Sequence, residues 1–320
     1  MKTNKKTSRR EFLATTGVAA VLTGAFLPFA TTMASESPAA GLRRSKIYFF
    51  TKPLDKYETE FMAETLAMAG VDGFDLTVRN GGKVDPARVY EELPGVVETG
   101  NKYNLATDLM VTGITGTEDR QTEEILKTAS GLGVNHYRLG YYDYDFSGGV
   151  PASLETIKSR MKDLSAMNRH YNIQAGYQNH DGARFGSPLW DLWEVIKDMP
   201  AETISSQYDI RHGMAEGYRS WIIALNLLSS KIGSLAIKDF HWEFQNGRAR
   251  TTHVPLGEGL VDFTTFVKTI KELNIDVPIT LHIEYPLLSK KEENLSLLKK
   301  QAIMIGVIKK DVQFLRNLIS

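Results

Sequence analysis

From Lys46 to Leu318, short apolar runs and longer amphipathic stretches alternate eight times. That alternation limits the fold more than any single motif does. The strand-like runs are Lys46–Thr51, Gly73–Val78, Leu105–Thr112, Tyr137–Tyr142, Ile173–Gln178, Ile204–Asp209, Ser234–Asp239 and Pro278–Glu284. Helical spacing follows each run. Met62, Leu66 and Ala69 share one face; Val89, Leu93 and Val97 share another, behind Pro86. Then come Thr122–Leu132, the series Leu154, Ile157, Met161 and Leu164, a helix opened by Ser187-Pro188, Glu216–Leu228, Asp262–Leu273 and Leu295–Leu318. Pro86 and Ser187-Pro188 suit helix starts, where the first N–H groups lack partners. Eight such units in residues 45–320 predict a single α/β domain, a (β/α)8 TIM barrel. An open doubly wound sheet usually turns through glycines after its first strand. Here Thr51-Lys-Pro-Leu54 follows instead.

The N-terminus reads differently. Ser8-Arg9-Arg10-Glu11-Phe12-Leu13 precedes an apolar run to Ala34, and Thr32-Met33-Ala34 offers small residues for cleavage. The pattern resembles a twin-arginine export signal over residues 1–34, with a short linker at 35–44 before the barrel. It implies a Tat translocon as partner during export, a periplasmic or other extracytoplasmic location, and no stable membrane span after processing. The whole chain balances 38 basic against 38 acidic residues. Lys2, Lys5, Lys6, Arg9 and Arg10 against Glu11 give residues 1–34 a charge of +4, which leaves 33 basic against 37 acidic, or −4. An acidic surface argues against nucleic acid as a partner. With no cysteine in the chain, disulfides, thiolate metal sites and cysteine nucleophiles are excluded.

Barrel strands are normally apolar throughout, yet polar residues gather at the carboxyl ends of these runs, where this fold builds its sites. Alternation places Asp75, Thr77 and Arg79 on one face of the second run. The third gives Asp108, the fourth Arg138, the fifth Gln178 and His180. The sixth gives Gln207 and Asp209 with His212 beyond; the seventh gives Ala236 and Lys238, and the eighth His282 and Glu284. Structural ion pairs account for any one of these as readily as catalysis does, but not for the whole ring. Trp242 follows the seventh run and could stack on a sugar ring, whereas helix packing explains Trp193 and Trp221. His136 and His170 read as structural, and His253 stays undecided.

Several segments together resemble the xylose-isomerase-like TIM barrels, the sugar phosphate isomerase/epimerase group that also contains endonuclease IV. They are Val71–Arg79, Tyr177–Gly182, Tyr208–Gly213, Ile237–Trp242, Ile283–Tyr285 and, most diagnostic, Pro255-Leu-Gly-Glu-Gly-Leu-Val-Asp-Phe263. The resemblance implies a divalent cation (Mn, Mg, Co or Zn) held by a Glu, an Asp, a His and a Glu ending strands five to eight. Asp209 and Glu284 match two of these. Gln178 and Ala236 stand at the others, so His180, His212 and His241 are the donors nearby that would have to compensate. Without a cation, the two carboxylates would pair with Lys238.

The chemistry so implied is proton transfer next to a carbonyl, which needs a base at carbon and a positive group at oxygen. Glu284, Lys238, His180 and Asp209 are the catalytic candidates. Arg79, Arg138, Gln178, His212, Trp242 and His282 are the substrate-binding ones, and Asp209, Glu284, Gln178, His212 and His241 the metal-binding ones. The chain has no P-loop or Gly-rich phosphate cradle. An exported isomerase or epimerase of an unphosphorylated sugar, sugar acid or glycoside is therefore expected. A lyase or hydratase eliminating from 3-keto-glycosides and a non-catalytic carbohydrate-binding barrel are the alternatives.

Overall fold

The computed structural model describes residues 45–320. Residues 1–34, on which the export expectation rests, lie outside them. Eight parallel strands close into a barrel. They are β1 (Ile47–Phe50), β2 (Gly73–Val78), β3 (Ala106–Thr112), β4 (His136–Arg138), β5 (Gln174–Gln178), β6 (Ile204–Asp209), β7 (Ile232–Ile237) and β10 (Ile279–Leu281). Around the ring the order is β1, β10, β7, β6, β5, β4, β3 and β2, so the last strand seals the first. Between β7 and β10 an antiparallel hairpin, β8 (Asp239–Gln245) and β9 (Arg248–Val254), departs from the barrel.

The helices are α1 (Thr59–Ala69), α2 (Val89–Lys102), α3 (Arg120–Gly131), α4 (Val150–Tyr171), α5 (Trp190–Ile196), α6 (Ile210–Gly217), α7 (Trp221–Leu228), α8 (Phe263–Glu272) and α9 (Leu297–Ile319). The stretch read as one helix, Glu216–Leu228, is two, because Tyr218 breaks the run with a φ of +45°. Strand four stops at Arg138, short of the expected Tyr142. None of the described helices is long and apolar enough to cross a membrane.

Apolar side chains such as Phe74, Leu76, Val111, Leu235 and Leu281 are buried within the barrel and its helix contacts. The amino end of the barrel is closed by a polar knot. Tyr48 donates its hydroxyl to Asp108, and Lys46 pairs with the same carboxylate at 3.1 Å. Gly73 is required beneath it, since a Cβ there would meet Ala106 O at 2.3 Å and the Tyr48 ring at 2.9 Å. Asp108 therefore belongs to the end opposite the site. Alternation gave its face, but it is the third residue of β3 and sits low in the barrel.

Candidate active site

Four strand ends supply a continuous polar row. Gln178 closes β5 and Asp209 closes β6; Lys238 follows β7 and Glu284 lies beyond β10. Gln178 Nε2 donates to Asp209 Oδ2 at 2.8 Å. Lys238 Nζ lies 3.2 Å from that same oxygen and 3.5 Å from Glu284 Oε2. Lys238 is 3% exposed, so its ammonium has lost its water and depends on these carboxylates. The row runs on at both ends. Arg138 Nη1 and Tyr141 OH donate to Gln178 Oε1 at 2.7 and 2.8 Å, and His253 Nε2, delivered by β9, sits 3.1 Å from Glu284 Oε2. Burial would raise the Glu284 carboxyl, but Lys238, with His282, His253 and Lys52, outweighs that and holds it down at about 2.

Asp209 has a second task that explains why it ends its strand. Its Oδ1 caps α6 by accepting the His212 N–H at 3.0 Å, so the chain turns into the helix and returns the His212 ring to the site. His212 Nδ1 lies 2.5 Å from Asp181 Oδ1, and Arg211 Nη1 is 2.7 Å from both atoms. The backbone N–H of Asp181 also points at Nδ1, at 3.2 Å, so this nitrogen meets one acceptor and two donors and the contacts accommodate either ring tautomer. Nε2 is buried, unpartnered and 3.7 Å from Asp209 Oδ2. The His180 ring packs against it, with centroids 3.9 Å apart. Burial pushes both imidazoles below their ordinary range and Lys238 adds to the effect, so both are neutral near pH 7.

The opposite wall is set by Phe50, which stacks on His282 at 4.4 Å and lies under the Arg79 guanidinium at 5.6 Å. His282 Nε2 faces Asp75 Oδ2 at 3.5 Å, and Thr280 donates to that oxygen at 2.8 Å. Asp75 Oδ1, Arg138 Nε and Gln207 Oε1 are also buried without partners. Buried polar atoms are rarely left so, and each needs a water or a polar ligand as its partner. Two clefts touch single members of the ring, one of about 490 Å³ lined in part by Arg79 and one of about 320 Å³ lined in part by Glu284 and Lys52; neither is lined by Lys238, Asp209 or His212.

Of the expected residues, Gln178, Asp209, Lys238, Glu284, Arg138, His180, His212, His282 and Arg79 thus gather at the carboxyl end of the barrel. Two stand apart. His241 points to the other face of the hairpin from His253 and meets Glu243 at 3.1 Å, which removes it from any shared ligand set. Trp242 is 44% exposed on the hairpin, packed edge-on against Phe240. The sequence reading left His253 undecided and gave no role to Tyr141, Asp181 or Arg211. Tyr141 sits three residues past Arg138 in a loop, and its contact with Gln178 has no sequence signature.

Barrel closure and this polar ring define an α/β-barrel protein with a buried charged cluster at the carboxyl end of its strands. Over residues 64–303 the chain matches the xylose isomerase-like TIM barrel family, and it belongs to that family. Solved structures share the fold at low identity. D-psicose 3-epimerase from Clostridium cellulolyticum H10 aligns at a TM-score of 0.63 and 10% identity, covering 86% of this chain and 99% of that one. A xylose isomerase-like barrel protein from Mycobacterium smegmatis, in complex with magnesium, gives 0.61 and 14%, covering 88% and 98%. The 3-keto-D-glucoside 4-epimerase of E. coli gives 0.60 and 13%, covering 86% and 100%. An uncharacterized protein of Methanocaldococcus jannaschii is 23% identical over 145 residues, 44% of this chain and about half (47%) of its own length.

The family implies a divalent cation, and the four expected positions do not fit one. The orientation of Gln178 is fixed from both sides: a guanidinium needs its oxygen and a carboxylate needs its nitrogen. Its carbonyl is thus already used. Ala236 has no donor, and it stands in register between Asp209 and Thr280. A divalent ion bound to Asp209 Oδ2 would sit about 4 Å from the Lys238 ammonium, a repulsion on the order of 8 kcal/mol at an effective dielectric of about 20. A different group does converge: His180, Asp181 and His212 bring one potential ligand atom each within 4.8 Å of the others. The Arg211 guanidinium, touching two of these three residues, opposes a cation there as well.

Proposed function

We propose that this protein is an isomerase or epimerase that moves a proton next to the carbonyl of an unphosphorylated sugar or sugar acid. The observation that carries the reading is one ammonium, Lys238, held between Asp209 and Glu284 with the unpartnered Nε2 of His212 beside it. A carbonyl oxygen placed against Lys238 finds positive charge where negative charge develops as the adjacent C–H is broken. In the tautomer that keeps its proton on Nδ1 toward Asp181, His212 Nε2, on the β6 side, accepts the proton, and Asp181 holds the resulting imidazolium in place. Glu284 flanks the same ammonium from the β10 side. A carboxyl held near 2 is a weak base, but a substrate oxygen that draws Lys238 away raises its proton affinity. Two proton-handling groups on either side of one cation suit inversion at carbon.

Arg79 and Arg138 stand ready for hydroxyl or carboxylate groups. Among similarly folded proteins, epimerases are the more frequent, alongside a probable 3-DHS dehydratase, and this balance supports the proton-transfer reading. Export rests on the pattern of residues 1–34, where Ser8–Leu13 is followed by an apolar run and the small residues Thr32-Met33-Ala34. The test is a panel of unphosphorylated sugars, uronates and keto-glycosides followed by NMR in D₂O. Deuterium entering one carbon of an otherwise intact sugar supports the reading. Release of an aglycone or water would replace it with elimination, and absence of any turnover with tight sugar binding would replace it with a binding barrel.

A further inference from the structure

We infer that Lys238 is the permanent cation of this site and that no divalent metal works there. Its Nζ lies between Asp209 and Glu284, the two carboxylates that match the family's ligand positions. The surrounding donors are committed in a way that serves an ammonium. Asp209 Oδ2 takes the Gln178 amide N–H, and Asp209 Oδ1 takes a backbone N–H. Gln178 Oε1 is spent on Arg138 and Tyr141. At Ala236, where the family's histidine would stand, a methyl group leaves the space and the charge to Lys238, two residues on and on the same face. An ammonium brings three donors and no requirement for a coordination shell of lone pairs, whereas a divalent ion needs four to six such ligands at about 2.0–2.3 Å.

The consequence is a positive charge between Asp209 and Glu284 that chelation cannot remove. The place of the ammonium at a substrate oxygen rests on the proton-transfer reading above. Its place between the two carboxylates does not.

The experiment is a Mn²⁺ titration of the purified full-length protein, followed by the EPR signal of free Mn²⁺ and by thermal unfolding, alongside elemental analysis. The expected result is no stoichiometric metal, no uptake at about 1 mM Mn²⁺ and no change in Tm on adding EDTA. The double variant Ala236→His with Lys238→Ala frees both carboxylates and adds an imidazole, and it is expected to take up Mn²⁺ and gain Tm from it. One metal per chain in the wild type, lost on Asp209→Asn or Asp181→Asn, would overturn the inference, and so would a folded double variant that takes up none. If the double variant does not fold, the wild-type titration decides alone. Failure of every sugar to exchange deuterium, with these metal results as expected, would count against the proposed reaction and leave the metal-free site standing.

Discussion

At the scale of single residues, Gln178 shows how far a sequence can be read. Its position at a strand end and its inward face follow from alternation. Which of its ends meets Asp209 depends on Arg138, forty residues away in the chain and one strand over in the barrel, and no local pattern encodes that pairing. Asp108 shows the same limit in depth: period two gives the face of a side chain, not its height, and Asp108 belongs to the knot with Lys46 and Tyr48. Lys238 was legible as an inward residue, and its partners are what the fold adds. Replacing it with Met leaves Asp209 and Glu284 facing each other without a cation. A loss on the order of 3 kcal/mol in stability at pH 8 is expected, with proton-exchange activity falling by roughly 10³-fold. The cost should shrink as pH falls toward 5, because one carboxylate can then take a proton. Urea unfolding at the two pH values measures this, and an equal loss at both would show that Lys238 does not hold these charges.

At the scale of elements, the seventh unit departs most from its expected form. Phe240, Trp242 and Phe244 alternate with His241, Glu243 and Gln245, a strand signal at odds with the expectation of a helix after each barrel strand. The pairing of β8 with β9 places Phe240, Trp242 and Phe244 on the face shared with His253. Strand β9 thereby becomes the arm that brings His253 to Glu284. His253→Ala is expected to lower kcat/KM roughly 10- to 100-fold through misplacement of Glu284, while the Tm stays near that of the wild type; steady-state kinetics with thermal unfolding separates the two. Behind the hairpin, Asp239 explains the Gly-rich motif that made the family legible. Its two oxygens accept the N–H groups of Phe240, Gly257, Gly259 and Val261 at 2.8–3.1 Å. A Cβ at Gly259 would fall 2.2 Å from Asp239 Oδ1, so the loop can wrap this carboxylate only with glycine there. Lys238 and Asp239 are thus neighbours with opposite duties, one facing the site and one anchoring the loop before α8. Asp239→Ala leaves four N–H groups without their acceptor and is expected to cost on the order of 4 kcal/mol. A shift in the urea midpoint smaller than a quarter of that would show the loop to be held elsewhere.

For the whole molecule, the closed ring of eight strands was the most legible property, because strand and helix periods differ and their alternation survives any error at the boundaries. The opposite charges of residues 1–34 and 35–320 belong to this scale too. If the first segment is an export signal, Arg9→Lys with Arg10→Lys should hold the chain in the cytoplasm, with immunoblots of cell fractions as the measure and export of the variant as the contrary result. The site also bears on how the barrel answers changes of pH. Glu284 has its folded value depressed to about 2 from an ordinary 4.5. Between those values the unfolded chain binds a proton that the folded chain does not, so falling pH favours unfolding. Its contribution is complete above about pH 4.5 and is lost progressively toward pH 2, with a total on the order of 3 kcal/mol. Buried neutral His180, His212 and His282 act in the same direction at higher pH: their folded values lie below 6.5, so protonation of the unfolded chain already draws stability away as pH falls past that point. Glu284→Gln removes the carboxylate, and with it the negative charge that His253 faces at 3.1 Å. Its stability should decline less steeply than the wild type's between pH 4.5 and 3. Urea midpoints across this window test this. Parallel curves there would mean that the Lys238–Glu284 pair contributes nothing to holding the barrel together.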